Sequence, residues 1–288
     1  MKHSLTIFAE LHGMVYDTAL AGEMCLTIMD NRVEMRILDV GCGIGEWVGA
    51  GAEPITSALR AAQEYPRAAV VGIDLITIDV LRESFDLAKV APNAHFFNYS
   101  IDYNQDWPQS LGGFDFVHLS LLAGKIDDWQ ATYKRAFDRV SPGGVVEHVE
   151  ISWEPQSTDQ AGLQDDEMPL MRWYRDMERA TASLGKPFAL RRDTCQQLQA
   201  AGFEDVDEST FQIPFWEYRR RNPHRYKLFL WIRTIMSETN GGWERSFFAR
   251  SVLPFTQVLG YDEQQVRQMC QDAARIVCRE ESPLYYNL

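Results

Sequence analysis

The chain lacks the features that mark secreted, membrane-spanning and nucleic-acid-binding proteins. Its 288 residues include five cysteines, an odd number with no CxxC pair, so we expect free thiols in a reducing, cytoplasmic compartment. No stretch approaches the roughly 18 apolar residues of a membrane span, and the apolar stretch near the N-terminus is too short for a signal peptide. Acidic residues outnumber basic ones by 41 to 28, giving a net charge of -13. We therefore expect neither a nucleic-acid nor a membrane partner.

Familiar catalytic and metal-binding patterns are also missing. There is no GxSxG nucleophile elbow, and six scattered histidines without paired cysteines give no zinc-ligand spacing, so we expect no metal. The chain has no internal repeat and no low-complexity segment. Its hydrophobic content of 45% and charged content of 24% are ordinary for a globular protein. Length and composition together indicate one catalytic core with a helical elaboration.

Strand and helix patterns alternate between residues 36 and 151. The expected strands are 36–40, 69–75, 94–100, 114–119 and 145–151, with helices at 55–65 and after a cap at Asp127, and a turn at 141–144. This alternation predicts an α/β fold, with a Rossmann-like, doubly wound, mostly parallel sheet of seven strands. We divide the chain into an N-terminal cap segment (1–35), a cofactor-binding core (36–153), and cap insertions with the last sheet strands (154–288).

Helical patterns dominate after residue 153. We expect one helix to begin at Pro169. A second is expected over 193–201, with Asp193 as its N-cap and Gly202 after its end. Most of 222–281 should also be helical, and Asp262 and Gln265 there resemble a capping box. Strands are expected at 203–213 and 284–286. With an amphipathic N-terminal stretch at 3–29, these helices predict a cap over the sheet.

The glycine-rich stretch 37–45 is the most informative segment. A buried strand runs into glycines at three alternate positions, Gly41, Gly43 and Gly45, which let the backbone come close to a ligand. The dinucleotide fingerprint GxGxxG would need a third glycine where this chain has Glu46, and an acid there would repel a pyrophosphate. A cationic ligand without phosphate, such as S-adenosylmethionine, would not be repelled by an acid at this position.

The acidic residue Asp74 ends the second predicted strand, where its carboxylate can accept hydrogen bonds from both ribose hydroxyls of a nucleoside. NAD enzymes use the same arrangement, so Asp74 indicates a nucleoside without selecting one. Gly45 and Asp74 are 29 residues apart (74 − 45), which is longer than the roughly 20 of the dinucleotide fold. The loop or helix beside the cofactor is therefore expected to be extended.

These motifs resemble those of class I S-adenosylmethionine-dependent methyltransferases, and more narrowly the fungal LaeA-like group of natural-product methyltransferases and regulators. The similar segments are 37–47, 65–75, 114–118, 123–129 and 141–150, with weaker matches at 198–203, Pro214 and Trp216. The resemblance covers most of the chain and is specific between about residues 36 and 151.

The resemblance implies a cofactor site, residue by residue. The implied contacts are Asp39, Gly41, Cys42, Gly43, Gly45, Asp74, Leu75, Ser100, Ile101, Asp102 and His118. The glycines would pass under the methionine part of the cofactor, Asp39 would hold its ammonium directly or through water, and Asp74 would bind the ribose. After the third strand the family usually has an acid followed by an apolar residue. Here either Ser100 replaces that acid or Asp102 serves in a shifted register.

Two strand-end residues are candidates for catalysis. His118 ends the fourth strand at the ligand-facing edge, where it would be a base, a substrate contact or only a hydrogen-bonded wall. In the fifth strand, alternation puts His148 and Glu150 on one face and Glu147 on the other, with Glu150 nearer the ligand edge. The aromatic side chains of the cap either roof a planar substrate or fill the core of the cap; they are Trp173, Tyr174, Phe215, Trp216, Tyr218, Trp231 and Trp243.

The predicted function is methyl transfer from S-adenosylmethionine to O, N, S or C of a small molecule, in keeping with secondary metabolism. Two alternatives remain open. One is a regulatory protein that retains the cofactor site without turnover, and the other is an enzyme that uses the bound cofactor in a non-methylating rearrangement. An NAD oxidoreductase is disfavoured by the GxGxG spacing. The oligomeric state is not predicted.

Overall fold

The computed structural model describes residues 25, 34–42, 57–74, 91–99, 107, 112–159, 168–215, 241–279 and 282–288. The described elements in chain order are β1 (Arg36–Val40), α1 (Ser57–Glu64), β2 (Ala69–Asp74), β3 (Ala94–Asn98), β4 (Phe114–Ser120), α2 (Trp129–Phe137), β5 (Val140–Val149), β6 (Ser152–Ser157), α3 (Pro169–Ser183), α4 (Thr194–Ala201), β7 (Gln212–Pro214), α5 (Gly242–Gln257), α6 (Glu263–Val277) and β8 (Leu284–Asn287).

Five strands form one parallel sheet in the order β3-β2-β1-β4-β5. β1, β2 and β4 are nearly continuous apolar runs whose central residues are buried, as expected for a sheet covered on both faces. The chain fills one side of β1 with β2 and β3 and then crosses to the other side for β4 and β5. The switch point between β1 and β4, at the carboxyl ends of the strands, is where such sheets bind ligands. The predicted Rossmann-like α/β fold is confirmed.

The other three strands form an antiparallel sheet in the order β6-β8-β7. Within the described residues, the strands thus divide into five and three, where one sheet of seven was expected. Only Glu150 and Ile151 separate β5 from β6, so these two strands are halves of one bent segment.

Most local predictions are confirmed. The first four strands and the first helix lie within two residues of their predicted bounds. Pro169 begins α3, Gly202 follows α4 with a φ of 117°, and the Asp262–Gln265 capping box begins α6. Asp193 holds the N-cap position of α4, but its side chain makes no capping hydrogen bond there. Of the amphipathic stretch 3–29, only Cys25, which is buried, is among the described residues.

Three local predictions are wrong. Asp128, and not Asp127, caps α2, because its side chain accepts a hydrogen bond from the backbone N–H of Ala131 at 2.9 Å. The turn predicted at 141–144 lies inside β5, where the register with β4 is irregular. Phe114 pairs with Val140 and Phe116 pairs with Val145, so two residues along β4 correspond to five along β5. Of the strand predicted at 203–213, only the end is strand, because Gln212–Pro214 pair with β8 and the backbone hydrogen bonds to that segment extend only to the flanking Phe211 and Phe215.

The cap has an aromatic core of its own. Helices α3, α5 and α6 pack together, and Trp153 and Tyr286 from the antiparallel sheet join that core. The rings of Trp173 and Phe247 lie 4.5 Å apart, and those of Trp153 and Tyr286 lie 5.3 Å apart. Four of the predicted cap aromatics are buried in this core: Trp173, Tyr174, Phe215 and Trp243. They fill the cap instead of lining an open wall, while Trp216, Tyr218 and Trp231 lie outside the described residues.

Gly72 provides a test of how tightly β2 packs beneath the glycine-rich turn. A Cβ at this position would lie 2.9 Å from Cys42 Sγ, 2.9 Å from Phe96 Cδ1 and 3.0 Å from Ala58 Cβ, all of them buried neighbours. We expect Gly72→Ala to lower the free energy of unfolding by about 1–3 kcal/mol through overpacking. Gly112→Ala is the control because a Cβ there meets no atom within 4 Å. Denaturant unfolding should separate the two variants, and equal stabilities would contradict this packing.

Candidate active site

The glycine-rich turn begins where β1 reaches the carboxyl edge of the sheet. Gly41 has a φ of 78°, a left-handed conformation that favours glycine. Its N–H donates to the carbonyl of Ile73 at 2.8 Å, and the N–H of Cys42 donates to the same carbonyl at 3.3 Å. The turn is therefore fixed across the end of β2. Gly43 and Gly45 lie outside the described residues.

Asp74, the second predicted cofactor acid, is the last residue of β2 at this same edge. It is half-buried, it pairs in register with Asn98 of β3, and its carbonyl accepts the N–H of Tyr99 at 2.8 Å. The strand end thus presents Asp74 beside the glycine-rich turn, as the sequence predicted. Four further predicted contacts lie outside the described residues, namely Leu75, Ser100, Ile101 and Asp102.

Asp39 precedes Gly41 by two residues in the chain, and its side chain is 1% exposed. Its Oδ2 accepts a hydrogen bond from the hydroxyl of Ser57 in α1, and that hydroxyl also lies 3.4 Å from the carbonyl oxygen of Cys42. Its Oδ1 lies 3.2 Å from Nδ1 of His118 in β4. Asp39 therefore ties together β1, α1 and β4 at the start of the turn.

His118 is enclosed between two carboxylates. It is also 1% exposed, and its Nε2 lies 3.9 Å from Oε1 of the buried Glu147 in β5. Burial by itself would lower the pKa of His118, but the hydrogen bond to Asp39 and the negative charges of Asp39 and Glu147 outweigh burial and raise this pKa above its ordinary value. The imidazole is thus held in its charged form to higher pH than a free histidine.

Glu150 caps a tight turn just after β4. Its Oε1 accepts the backbone N–H groups of Leu122 at 2.5 Å and Ala123 at 3.0 Å. The residue before them, Leu121, has a φ of 55°, a backbone conformation that is uncommon for residues other than glycine. Its N–H donates to the carbonyl of Val149 at 3.0 Å. The end of β5 therefore holds the 121–123 turn in a conformation that it would not favour alone.

A histidine and a tyrosine support this carboxylate. His148 Nε2 lies 3.2 Å from Glu150 Oε1, and His148 Nδ1 lies 3.0 Å from the hydroxyl of Tyr133 in α2. Because the Glu150 oxygen accepts, Nε2 of His148 is the donor in the first contact, and Nδ1 faces the Tyr133 hydroxyl. The strand alternation predicted from sequence is confirmed here, since His148 and Glu150 share a face of the bent strand.

The 121–123 turn is also attached to the cap. The N–H of Gly124, whose φ is 78°, donates to the carbonyl of Pro187 at 3.0 Å. Phe188 then packs on Trp153 and Trp173 in the core of the cap. A movement of the cap would therefore be transmitted to the backbone that follows β4.

Sequence reasoning missed two of these partners. Ser57 is 18 residues from Asp39, and Tyr133 is 15 residues from His148, so no local pattern connects either pair. Neither residue type is distinctive at its position in a helix. Only the packing of α1 and α2 on the sheet brings them to the site.

Among the described helices, none has the length and apolar character to cross a membrane.

Comparison with known proteins decides the family. A family model described as a methyltransferase domain matches residues 18–208, which include β1 to β5 and the carboxyl edge described above. The chain belongs to this methyltransferase domain family. As a class I methyltransferase, it uses S-adenosylmethionine as its methyl donor. The described residues fit that cofactor, because Asp39 and Asp74 place two acids, suited to a cationic nucleoside, beside a turn that begins at Gly41 in a left-handed conformation.

This methyltransferase has relatives among fungal regulators. The secondary metabolism regulator LAE1 of Cochliobolus heterostrophus is 31% identical to it, over 89% of this chain and 75% of that protein. The protein-methionine methyltransferase laeA of Emericella nidulans is 29% identical, over 87% of this chain and 59% of its own length. The chain thus spans three quarters of the first relative and about three fifths of the second.

Solved structures of small-molecule methyltransferases are more distant. Coclaurine N-methyltransferase is 13% identical, with a TM-score of 0.47 over 95% of this chain and 69% of that one. Phosphoethanolamine N-methyltransferase 2 of Haemonchus contortus is 17% identical, with a TM-score of 0.46 over 99% of this chain and 56% of that one.

Proposed function

We propose that this methyltransferase transfers the methyl group of S-adenosylmethionine to a small molecule of secondary metabolism. The observation that carries the proposal is the pair of acids, Asp39 and Asp74, on either side of the glycine-rich turn at the switch point of the sheet. The family match supports the donor, and the relatives named as secondary metabolism regulators support the metabolic setting.

Within this proposal the cofactor contacts remain those expected from the sequence. Asp39 would hold the ammonium, Asp74 the ribose, and residues 41–45 the methionine part, with Leu75 and residues 100–102 completing the site. The core of 36–153 would bind the cofactor, and the segments 1–35 and 154–288 would close over the acceptor. The cofactor supplies a methyl group that is already activated by the sulfonium. What remains for the chain is to orient the acceptor and exclude water.

His118 and Glu150 remain predicted contacts of the acceptor or the sulfonium, but their surroundings argue against a base. His118 is enclosed by Asp39 and Glu147, and Oε1 of Glu150 already accepts three donors. We infer that the transfer rests on positioning, which suits an acceptor that needs no deprotonation, such as a thioether or a neutral amine.

A second candidate acceptor is the thioether of a protein methionine. The name of the Emericella nidulans relative, a protein-methionine methyltransferase, favours it, and a thioether sulfur is nucleophilic without a base. Incubation with methyl-labelled cofactor distinguishes the two acceptors. Label in a metabolite extract, with a mass gain of one CH2, supports the small molecule. Label in the protein fraction, retained at a methionine as a fixed positive charge, supports the alternative. Turnover without label transfer would indicate a non-methylating reaction, and no turnover at all would indicate a regulator.

Asp74→Ala tests the cofactor site directly. Hydrogen bonds to a charged group are worth roughly 1.5–3 kcal/mol, so we expect this variant to bind S-adenosylmethionine about tenfold to a hundredfold more weakly in calorimetry. Asp115→Ala is the matched control, since Asp115 is an exposed acid in β4 near the opposite, amino-terminal end of the strands. Unchanged affinity of Asp74→Ala would refute the ribose contact, and NAD binding by the wild type would refute the cofactor.

A further inference from the structure

Asp39, His118 and Glu147 occupy one register position on three neighbouring strands. Asp39 of β1 pairs with His118 of β4, and His118 pairs with Glu147 of β5. Side chains that are paired in a parallel sheet point to the same face, so the three form an acid–imidazole–acid row across the centre of the sheet. The row lies just before the carboxyl edge, one or two residues from the glycine-rich turn.

The row is buried along its whole length. Asp39 and His118 are each 1% exposed and Glu147 is 8% exposed, so two negative charges and one imidazole share a space that water hardly reaches. Ser57 of α1 donates to Asp39 from above, and the ring of Phe116 stacks beside His118 at 6.1 Å. His118 and Glu147 each make at least one further interaction. Two carboxylates in such a place repel each other unless a cation lies between them, and His118 takes that position.

We propose that His118 is the positioning residue of the cofactor site: clamped between Glu147 and Asp39, it fixes the Asp39 carboxylate for the ammonium of S-adenosylmethionine. The inference rests on the proposed function, because it assigns Asp39 to the cofactor. His118 acts through Asp39 and needs no contact of its own with the cofactor. Nδ1 orients Asp39 Oδ1 while Ser57 holds Oδ2, so both oxygens of the carboxylate are fixed before the ligand arrives.

The row also couples cofactor binding to a proton. S-adenosylmethionine carries one sulfonium, one ammonium and one carboxylate, so its binding adds net positive charge next to Asp39. A like charge nearby disfavours the imidazolium, so His118 should release part of its proton when the cofactor binds. By linkage, the affinity should rise with pH across the range in which His118 titrates. A side chain that merely filled space at this position would release no proton.

Three substitutions at His118 separate orientation from packing. His118→Asn retains a donor near Asp39, His118→Gln retains one that reaches toward Glu147, and His118→Leu retains neither. In calorimetry with S-adenosylmethionine, we expect His118→Leu to bind at least about tenfold more weakly, His118→Asn to stay within about threefold of wild type, and His118→Gln to fall between them. Val117→Ala, a buried change on the opposite face of the same strand, controls for lost packing and should bind as wild type does.

Proton release is measured by repeating the titration in buffers of different ionisation enthalpy. Wild type should release more protons than His118→Asn, and Glu147→Gln should move the release to lower pH because it removes one of the charges that keep His118 protonated. These two conservative variants keep the test decisive if His118→Leu fails to fold. Wild-type affinity in His118→Leu, or equal proton release in wild type and His118→Asn, overturns the inference. If wild type binds neither S-adenosylmethionine nor S-adenosylhomocysteine, the proposed function itself falls, and the inference falls with it.

Discussion

Glu150→Ala is expected to lower the free energy of unfolding by about 3 kcal/mol, since two backbone donors would lose a charged acceptor at roughly 1–3 kcal/mol each. The donors are the N–H groups of Leu122, which is fully buried, and Ala123, and the turn that they belong to includes Leu121 in its left-handed conformation. Because Leu122 is buried, water cannot readily replace the hydrogen bond to its N–H when the carboxylate is removed. Urea unfolding followed by circular dichroism measures the loss.

The same substitution is expected to reduce methyl transfer about a hundredfold, because misplacing a site by about 1 Å can cost that much in rate. Glu150→Gln is the control, since its carbonyl oxygen can still accept both N–H groups, and it should lose only about 1 kcal/mol and little activity. If the Gln variant instead loses activity as severely as the Ala variant while remaining as stable as wild type, the charge of Glu150 has a chemical task. The positioning interpretation of Glu150 would then be wrong.

Raising the pH above neutrality is expected to destabilise the protein through His118. The folded state raises the pKa of His118 above its unfolded value of about 6.5, because the hydrogen bond and charges of its two acids outweigh burial. The folded protein therefore binds this proton more tightly than the unfolded chain does. The resulting stabilisation is complete below about pH 6.5 and is lost as the pH rises through the folded pKa, by at most about 1.4 kcal/mol per pH unit for one proton.

The measurement is the free energy of unfolding of wild type and of His118→Asn at a series of pH values between about 6 and 9. Other groups titrate in both proteins, so the difference between the two curves isolates His118. Wild type should lose its advantage as the pH rises, while His118→Asn should lack this component. Parallel curves over the whole range would mean that His118 has the same pKa in the folded and unfolded states.

Local patterns predicted the elements that build the site. β1 and β2 are short apolar runs bounded by turn residues, and the glycines that follow β1 form a signal contained within a few residues. The positions of Asp39 and Asp74 at the carboxyl edge follow from those strands, because every parallel strand ends at the same edge. The prediction of a strand over 203–213 was wrong for most of its length. An alternation of apolar and polar residues allows a strand to form, but pairing with β8 decides which residues become strand.

The sequence by itself determined the fold class, the glycine-rich turn and the two acids beside it, because each depends on residues that are neighbours in the chain. The tertiary structure alone decided what surrounds those acids. Asp39 and His118 are 79 residues apart and meet only through the register of β1 with β4. Leu122 and Glu150 are 28 residues apart and meet only because β5 ends beside the turn after β4. Register and bending depend on the packing of the whole sheet, and no local pattern encodes them.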